Sequence, residues 1–134
     1  MDSKQKEEIK EEIDVEAKRL VNSFKYAGTG IYTSLKTEKN MKIHFAIMFF
    51  VIIFGFVFHI SINEWIACII LFAGVIGAEM LNTAIENVVD LITPYKNAKA
   101  KIVKDVAAGA VLVWAICAAI IGLIIFIPKI IELF

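Results

Sequence analysis

Three apolar runs, at residues 43–60, 62–91 and 106–127, constrain this chain more than any other feature of its 134 residues. A helix needs about 20 consecutive, mostly apolar residues to cross a hydrocarbon core about 30 Å thick. Backbone groups in lipid have to bond within their own segment, which leaves helices as the form such runs can take. Hydrophobic residues make up 59% of the chain, too many for a soluble domain of this length. The expected fold is all-α and integral to the membrane, with three transmembrane helices.

Formal net charge is zero, but the charge is segregated. It sits in the first third and in the 93–105 link, so its position carries the information. Lys36, Lys39 and Lys42 precede the first run, and Lys96, Lys99, Lys101 and Lys104 fill the second link, whereas link 59–63 holds no Lys or Arg. The positive-inside rule then places the N-terminus and the 93–105 link in the cytoplasm and the C-terminus outside. A charged start without an adjacent apolar core does not read as a cleavable signal peptide. The organisation expected is a cytoplasmic segment at 1–42 and a three-span domain at 43–134, acting as one functional unit.

Within the first segment, Ile9, Ile13, Ala17, Leu20, Val21 and Phe24 recur at three- and four-residue spacing among Lys and Glu. That pattern predicts an amphipathic helix over residues 4–24, lying on the membrane surface or against a partner protomer. The glycines in the stretch Tyr26-Ala-Gly-Thr-Gly30 are expected to interrupt it. Thr93-Pro94 is expected to end the second span, because proline disfavours helical geometry at its predecessor.

The second span carries Glu79, Asn82 and Glu86. An ionised side chain in hydrocarbon costs at least a few kcal/mol, so such residues mark a functional site by default. Spacings of three and four put the three on one helical face, directed toward protein. At about 1.5 Å per residue from Asn63, Glu79 lies about 24 Å along the span and Glu86 about 35 Å. Lys104 and Asp105, at the expected start of the third span, and Glu38, before the first, share that layer. Three carboxylates, a lysine and a helix N-terminus suit a divalent cation carrying a polyphosphate, since Mg²⁺ takes one or two carboxylates plus phosphate oxygens. No Walker A sequence is present, which argues against a P-loop enzyme.

Two non-enzymatic readings compete. Polar residues glue helices together, although neutral ones usually serve. An ion- or proton-translocating subunit would place its acids near the midplane, whereas these crowd one side. Neither accounts for Lys104 and Asp105 in the same layer.

The run EMLNTAIENVVD (79–90), followed by AKAKIVKDVAAGAV (98–111), resembles the signature of the small prokaryotic diacylglycerol kinase family, over about residues 19–127. The segment EKNMKIH (38–44) resembles the family's Gram-positive branch, whose members phosphorylate undecaprenol. The resemblance implies a homotrimer in the bacterial plasma membrane, with active sites shared between neighbours at the cytoplasmic face. It implies that Glu79 is the general base that takes the lipid hydroxyl proton, and that Glu38 and Glu86 hold Mg²⁺ on ATP with Asn82 beside them. It further implies nucleotide contacts from Arg19, Tyr26, Tyr95, Lys96, Asn97, Lys104 and Asp105, and a substrate-side position for Ala108. The implied partners are a membrane lipid, ATP and further copies of the chain, with no nucleic acid. Undecaprenol is the expected acceptor and diacylglycerol the alternative.

Physical reasoning agrees with those roles, because phosphoryl transfer asks mainly for alignment, charge neutralisation and one base. The remaining residues read more plainly. Gly74, Gly77 and Ala78 suit close helix packing. Cys68 and Cys117 lack metal-ligand spacing and read as small apolar residues. His44 reads as a boundary histidine that snorkels or touches phosphate, Trp65 as an interfacial anchor, Asp90 as a solvated helix-end acid whose motif position leaves a supporting role open, and His59 as a residue without evident chemistry.

Overall fold

A computed structural model describes residues 3–133 and contains four helices: α1 (Ser3–Thr37), α2 (Lys39–Val57), α3 (Ile62–Ile92) and α4 (Ala98–Ile131). The last three are long and apolar enough to cross a membrane. The chain divides into two units, residues 1–37 and 38–134.

The first unit is one continuous helix, so the expected interruption at Gly28 and Gly30 does not occur. Each interior glycine costs about 1 kcal/mol of helix propensity, and a helix of 35 residues, once formed, propagates through both. Between them, Thr29 Oγ1 donates to the Lys25 carbonyl at 2.9 Å. The helix stops at Glu38, whose extended backbone (φ −93°, ψ 123°) separates α1 from α2.

In the second unit α3 packs along α4 and, over a shorter contact, against α2. The α2–α3 turn is tight. His59 takes a left-handed conformation (φ 49°), the Ile60 N–H donates to the Gly55 carbonyl at 3.1 Å, and the His59 N–H donates to that of Phe56 at 3.3 Å. This is a Schellman termination, which usually recruits glycine at the residue that histidine fills here. It ends α2 at Val57, three residues before the apolar run ends. Ser61 then opens α3 with a capping box: its N–H donates to Glu64 Oε2 at 2.6 Å, and Glu64 N–H donates to Ser61 Oγ at 3.4 Å. Lys129 near the end of α4 pairs with Glu64 at 3.3 Å, tying the antiparallel helices together at this end.

Bulky indoles meet glycines at two crossings. The Trp65 ring lies over Gly55, where a Cβ would sit 2.7 Å from Cη2, so Trp65 packs inside the unit as well as marking the boundary. The Trp114 ring lies over Gly74 in the same way, while Gly77 faces open space. Ile60, Cys68 and Ile125 form a buried cluster at the His59 end, with Phe58 and Phe126 edge to face 6.1 Å apart. Cys68 is buried, Cys117 exposed, and both are free thiols.

Length sets the position of the site. The 31 residues of α3 make a rod about 46 Å long, against a hydrocarbon core of about 30 Å. Because the short α2–α3 turn sits at one boundary, the excess of α3 and α4 emerges at the other, where the Pro94 link joins them.

Candidate active site at the Pro94 end of the bundle

Glu79 is the innermost polar residue of α3 and is only 3% exposed. Its Oε1 lies 3.3 Å from Nε2 of His44 on α2. A buried carboxylate without a partner is very costly, so the histidine across the helix gap is part of what allows Glu79 to be there. One turn further along α3, Asn82 Nδ2 donates to Glu86 Oε1 at 3.2 Å. The other end of that amide, Oδ1, is buried and has no hydrogen-bond partner among the described residues. Such an acceptor is uncommon and calls for a reason, and a bound donor is one. Along the same helix, Thr83 Oγ1 donates to the Glu79 carbonyl and Asn87 Nδ2 to the Thr83 carbonyl.

Two cavities meet at His44. One, of about 290 Å³, is lined by Asn40, His44, Glu79 and Asn82, with Ala108, Val111, Leu112 and Ala115 closing it from α4. The other, of about 270 Å³, is an apolar groove among α2, α3 and α4 that runs from His44 past Met48, Val51, Phe72 and Ala118 to Phe126. A carboxylate and an orphaned carbonyl oxygen therefore sit next to a slot fit for hydrocarbon.

A third cavity, of about 610 Å³, opens at the Pro94 link and is lined by Asp90, Tyr95, Lys96, Asn97, Lys101, Lys104 and Asp105. Two expectations are corrected here. Helix α4 begins at Ala98, so Lys104 and Asp105 stand about two turns inside it and not at its start. The N–H groups that do open α4, those of Lys99 and Ala100, are taken by the Asn97 side chain at 2.8 and 3.2 Å. Lys104 and Asp105 also have separate partners: Lys104 Nζ reaches Asp90 and Lys101 Nζ reaches Asp105, each at 2.5 Å. Asp90 is thus exposed, as expected of a helix-end acid, and also the counter-ion of the lysine.

The second unit thus gathers Glu79, Asn82, Glu86 and Ala108 on one side, and Tyr95, Lys96, Asn97, Lys104 and Asp105 around the link. Glu38 caps α2. Arg19 and Tyr26 lie on α1 and are exposed; Arg19 pairs with Glu16 at 3.4 Å. Among the described residues no three Asp, Glu, His or Cys side chains converge as a closed metal cage. Asn40 escaped the reading of the sequence, and His44, read there as a boundary histidine that snorkels or touches phosphate, was not paired with Glu79. Their signal was the face they share at i, i+4, which Ile47, Met48 and Val51 continue and which lines the two cavities.

The fold and site define a class: a small multi-pass helical membrane protein with a buried acid beside an apolar groove and a basic cavity at the same end. Residues 25–126 match the family described as prokaryotic diacylglycerol kinase. The chain is 47% identical over 114 residues to an undecaprenol kinase of Bacillus subtilis, covering 85% of this chain and 93% of the relative. It is 36% identical over 118 residues to a diacylglycerol kinase of Synechocystis, covering 87% of this chain and 67% of the relative. The chain belongs to the prokaryotic diacylglycerol kinase family. It is accordingly a membrane lipid kinase, with ATP as donor, a membrane lipid as acceptor and a divalent metal accompanying the reaction.

Proposed function

We propose that this protein transfers the γ-phosphoryl group of ATP to the hydroxyl of undecaprenol at the cytoplasmic face of the plasma membrane, giving undecaprenyl phosphate and ADP. The observation that carries the reading is the buried Glu79 carboxylate in a cavity adjoining an apolar groove. A lipid alcohol laid along the groove brings its hydroxyl toward Glu79 while its chain stays in hydrocarbon. The stronger relative, named for undecaprenol, supports the polyprenol; the Synechocystis relative keeps diacylglycerol as the second acceptor to test.

Glu79 is the base. As the hydroxyl oxygen bonds to the γ-phosphorus, its proton passes to Glu79, and the bond to the β-phosphate oxygen breaks with its electron pair leaving on ADP. Asn82 Oδ1, with no protein donor, is placed to accept from the hydroxyl or from an ordered water. Lys104 supplies positive charge to the phosphates once they displace Asp90, and Arg19, Tyr26, Tyr95, Lys96, Asn97 and Asp105 complete the nucleotide contacts. Ala108 leaves room for the lipid head beside Glu79.

Glu38 and Glu86 would hold Mg²⁺: each offers a hard carboxylate oxygen, and Mg²⁺ takes one or two carboxylates together with phosphate and water ligands. Bound there, Mg²⁺ would neutralise charge developing on the transferring phosphates.

The amphipathic stripe of α1 lies on the cytoplasmic membrane surface, the N-terminus is cytoplasmic and the C-terminus outside, and the working form is a homotrimer with sites shared between neighbours. Residues 1–42 serve the three-span domain at 43–134 as part of one functional unit.

Phosphate transfer from labelled ATP to undecaprenol and to diacylglycerol, in parallel in the same mixed micelles, tests the reading. Undecaprenol is the preferred acceptor; preference for diacylglycerol, or silence on both, overturns it. Glu79→Gln abolishes turnover and leaves nucleotide binding intact, whereas Glu86→Gln weakens the Mg²⁺ dependence; full activity in both variants refutes these roles.

A further inference from the structure

His44 belongs to both cavities, as the wall beside Glu79 and as the head of the apolar groove. About a fifth of its side chain is exposed, against 4% for Glu79, and its Nε2 stands 3.3 Å from Glu79 Oε1. The other walls of the polar cavity, Asn40 on α2, Asn82 on α3 and Ala108, Val111, Leu112 and Ala115 on α4, carry no charge. Among the described residues the imidazole is the basic group on this carboxylate. A glutamate's terminal torsion is broad, so without a partner its two oxygens sweep through many orientations. A base has to present a lone pair within hydrogen-bond reach of the proton it takes.

We propose that His44 is a positioning residue for phosphoryl transfer: the N–H on Nε2 holds Oε1 of Glu79 and leaves Oε2 to take the proton of the lipid hydroxyl. The proposal rests on the base role proposed above for Glu79. In the transfer step the hydroxyl O–H bond breaks and its proton goes to Oε2. The oxygen bonds to the γ-phosphorus, and the leaving oxygen of ADP keeps the electron pair. His44 neither gains nor loses a proton. Glu79 later returns its proton to water as product leaves. Because His44 is also where the groove begins, the hydrocarbon chain passes the same ring that sets the carboxylate.

Initial rates of the full chain with undecaprenol and Mg·ATP, for wild type, His44→Leu and His44→Gln, are the first test. A misplacement of about 1 Å in a reacting group costs about 100-fold, so His44→Leu lowers kcat about 10- to 100-fold with KM for Mg·ATP unchanged. Glutamine offers an amide N–H at similar reach, so His44→Gln regains most of the loss; a residue that merely fills space would show no such rescue. Full kcat in His44→Leu, or equal loss in both variants, overturns the proposal.

A second measurement is independent of turnover. The chain has two histidines, so His59→Gly leaves His44 as its single imidazole. In ¹⁵N-histidine spectra of that protein, adding Glu79→Gln shifts the Nε2 resonance; an unmoved resonance overturns the proposal. An inactive Glu79→Gln beside a fully active His44→Leu leaves the base in place and removes only the positioning role. Wild-type turnover in Glu79→Gln removes both.

Discussion

Gly74→Ala puts a methyl group where the six-membered ring of Trp114 now rests against the α3 backbone. The indole is rigid, so either the ring swings aside or the two helices separate. Trp114 is 38% exposed, which gives the ring a way out that a fully enclosed side chain would lack. In water, losing the packed part of such a ring would forfeit a large transfer term, since a buried aromatic covers about 150–250 Å². In a membrane the exposed ring meets lipid tails as apolar as its former neighbours, so the loss is packing alone. Overpacking costs about 1–3 kcal/mol in well-filled cores, and the lower half of that range is expected here, about 1–2 kcal/mol. That is a 5- to 30-fold change in the folded-to-unfolded ratio, on the order of what one or two kcal/mol produces. Equilibrium unfolding in mixed micelles of rising SDS fraction, followed by helical circular dichroism at fixed protein concentration, measures it. Trp114→Leu removes the ring that the methyl strikes, so the double variant Gly74→Ala/Trp114→Leu shows a favourable coupling of about 0.5–2 kcal/mol. A wild-type midpoint in Gly74→Ala, or zero coupling in the cycle, refutes the packing assigned to this crossing.

Three further outcomes follow from single contacts. His59→Gly relieves a left-handed histidine at the end of α2; the strain relieved is about 1–2 kcal/mol and the added chain entropy takes back about half, so the same unfolding assay shows a gain of about 0.5–1 kcal/mol. Asp90→Asn releases Lys104 from a largely exposed pair worth about 0.2–1 kcal/mol, so stability changes little while KM for ATP falls; an unchanged KM separates Lys104 from the nucleotide. Ala118→Phe fills the apolar groove from α4 and raises KM for the lipid while leaving KM for ATP unchanged; equal lipid kinetics would mean that the chain binds elsewhere.

The spans are legible in the sequence because the length of an apolar run is a local property. The ends of the helices are less so. Hydropathy registers the edge of the membrane and not the edge of the helix, which is why α4 starts at Ala98, eight residues before its apolar run. Propensity misjudges Gly28 and Gly30 for the opposite reason, since a long helix propagates through isolated weak residues once formed. At the candidate site, the shared face of Glu79, Asn82 and Glu86 follows from spacing within one helix. The pairings His44–Glu79 and Asp90–Lys104 depend on how α2 and α4 are rotated about their own axes against α3. That rotation is set by contacts such as Trp65 on Gly55 and Trp114 on Gly74, and a single-helix pattern does not contain it.

The same contacts bear on how so small a protein joins two phases. A lipid alcohol stays in hydrocarbon and ATP stays in water, so a kinase acting on both needs one rigid element that crosses the boundary. Helix α3 is longer than the hydrocarbon core by about 15 Å, and its polar residues from Glu79 onward fall in that excess and just below it. Glu79 is deepest and buried against His44, Glu86 is a little over one turn beyond Asn82 and bonded to it, and Asp90 is a further turn out and paired with Lys104. Each step outward exchanges an enclosed partner for a more exposed one, so the polar face of α3 grades from an enclosed carboxylate to an exposed ion pair. At the inner end the His44 imidazole lies 3.3 Å from the buried carboxylate, a partner that offsets part of the cost of enclosing it. At the outer end of α3 the partner of Asp90 is Lys104, in a partly exposed pair that costs little to separate.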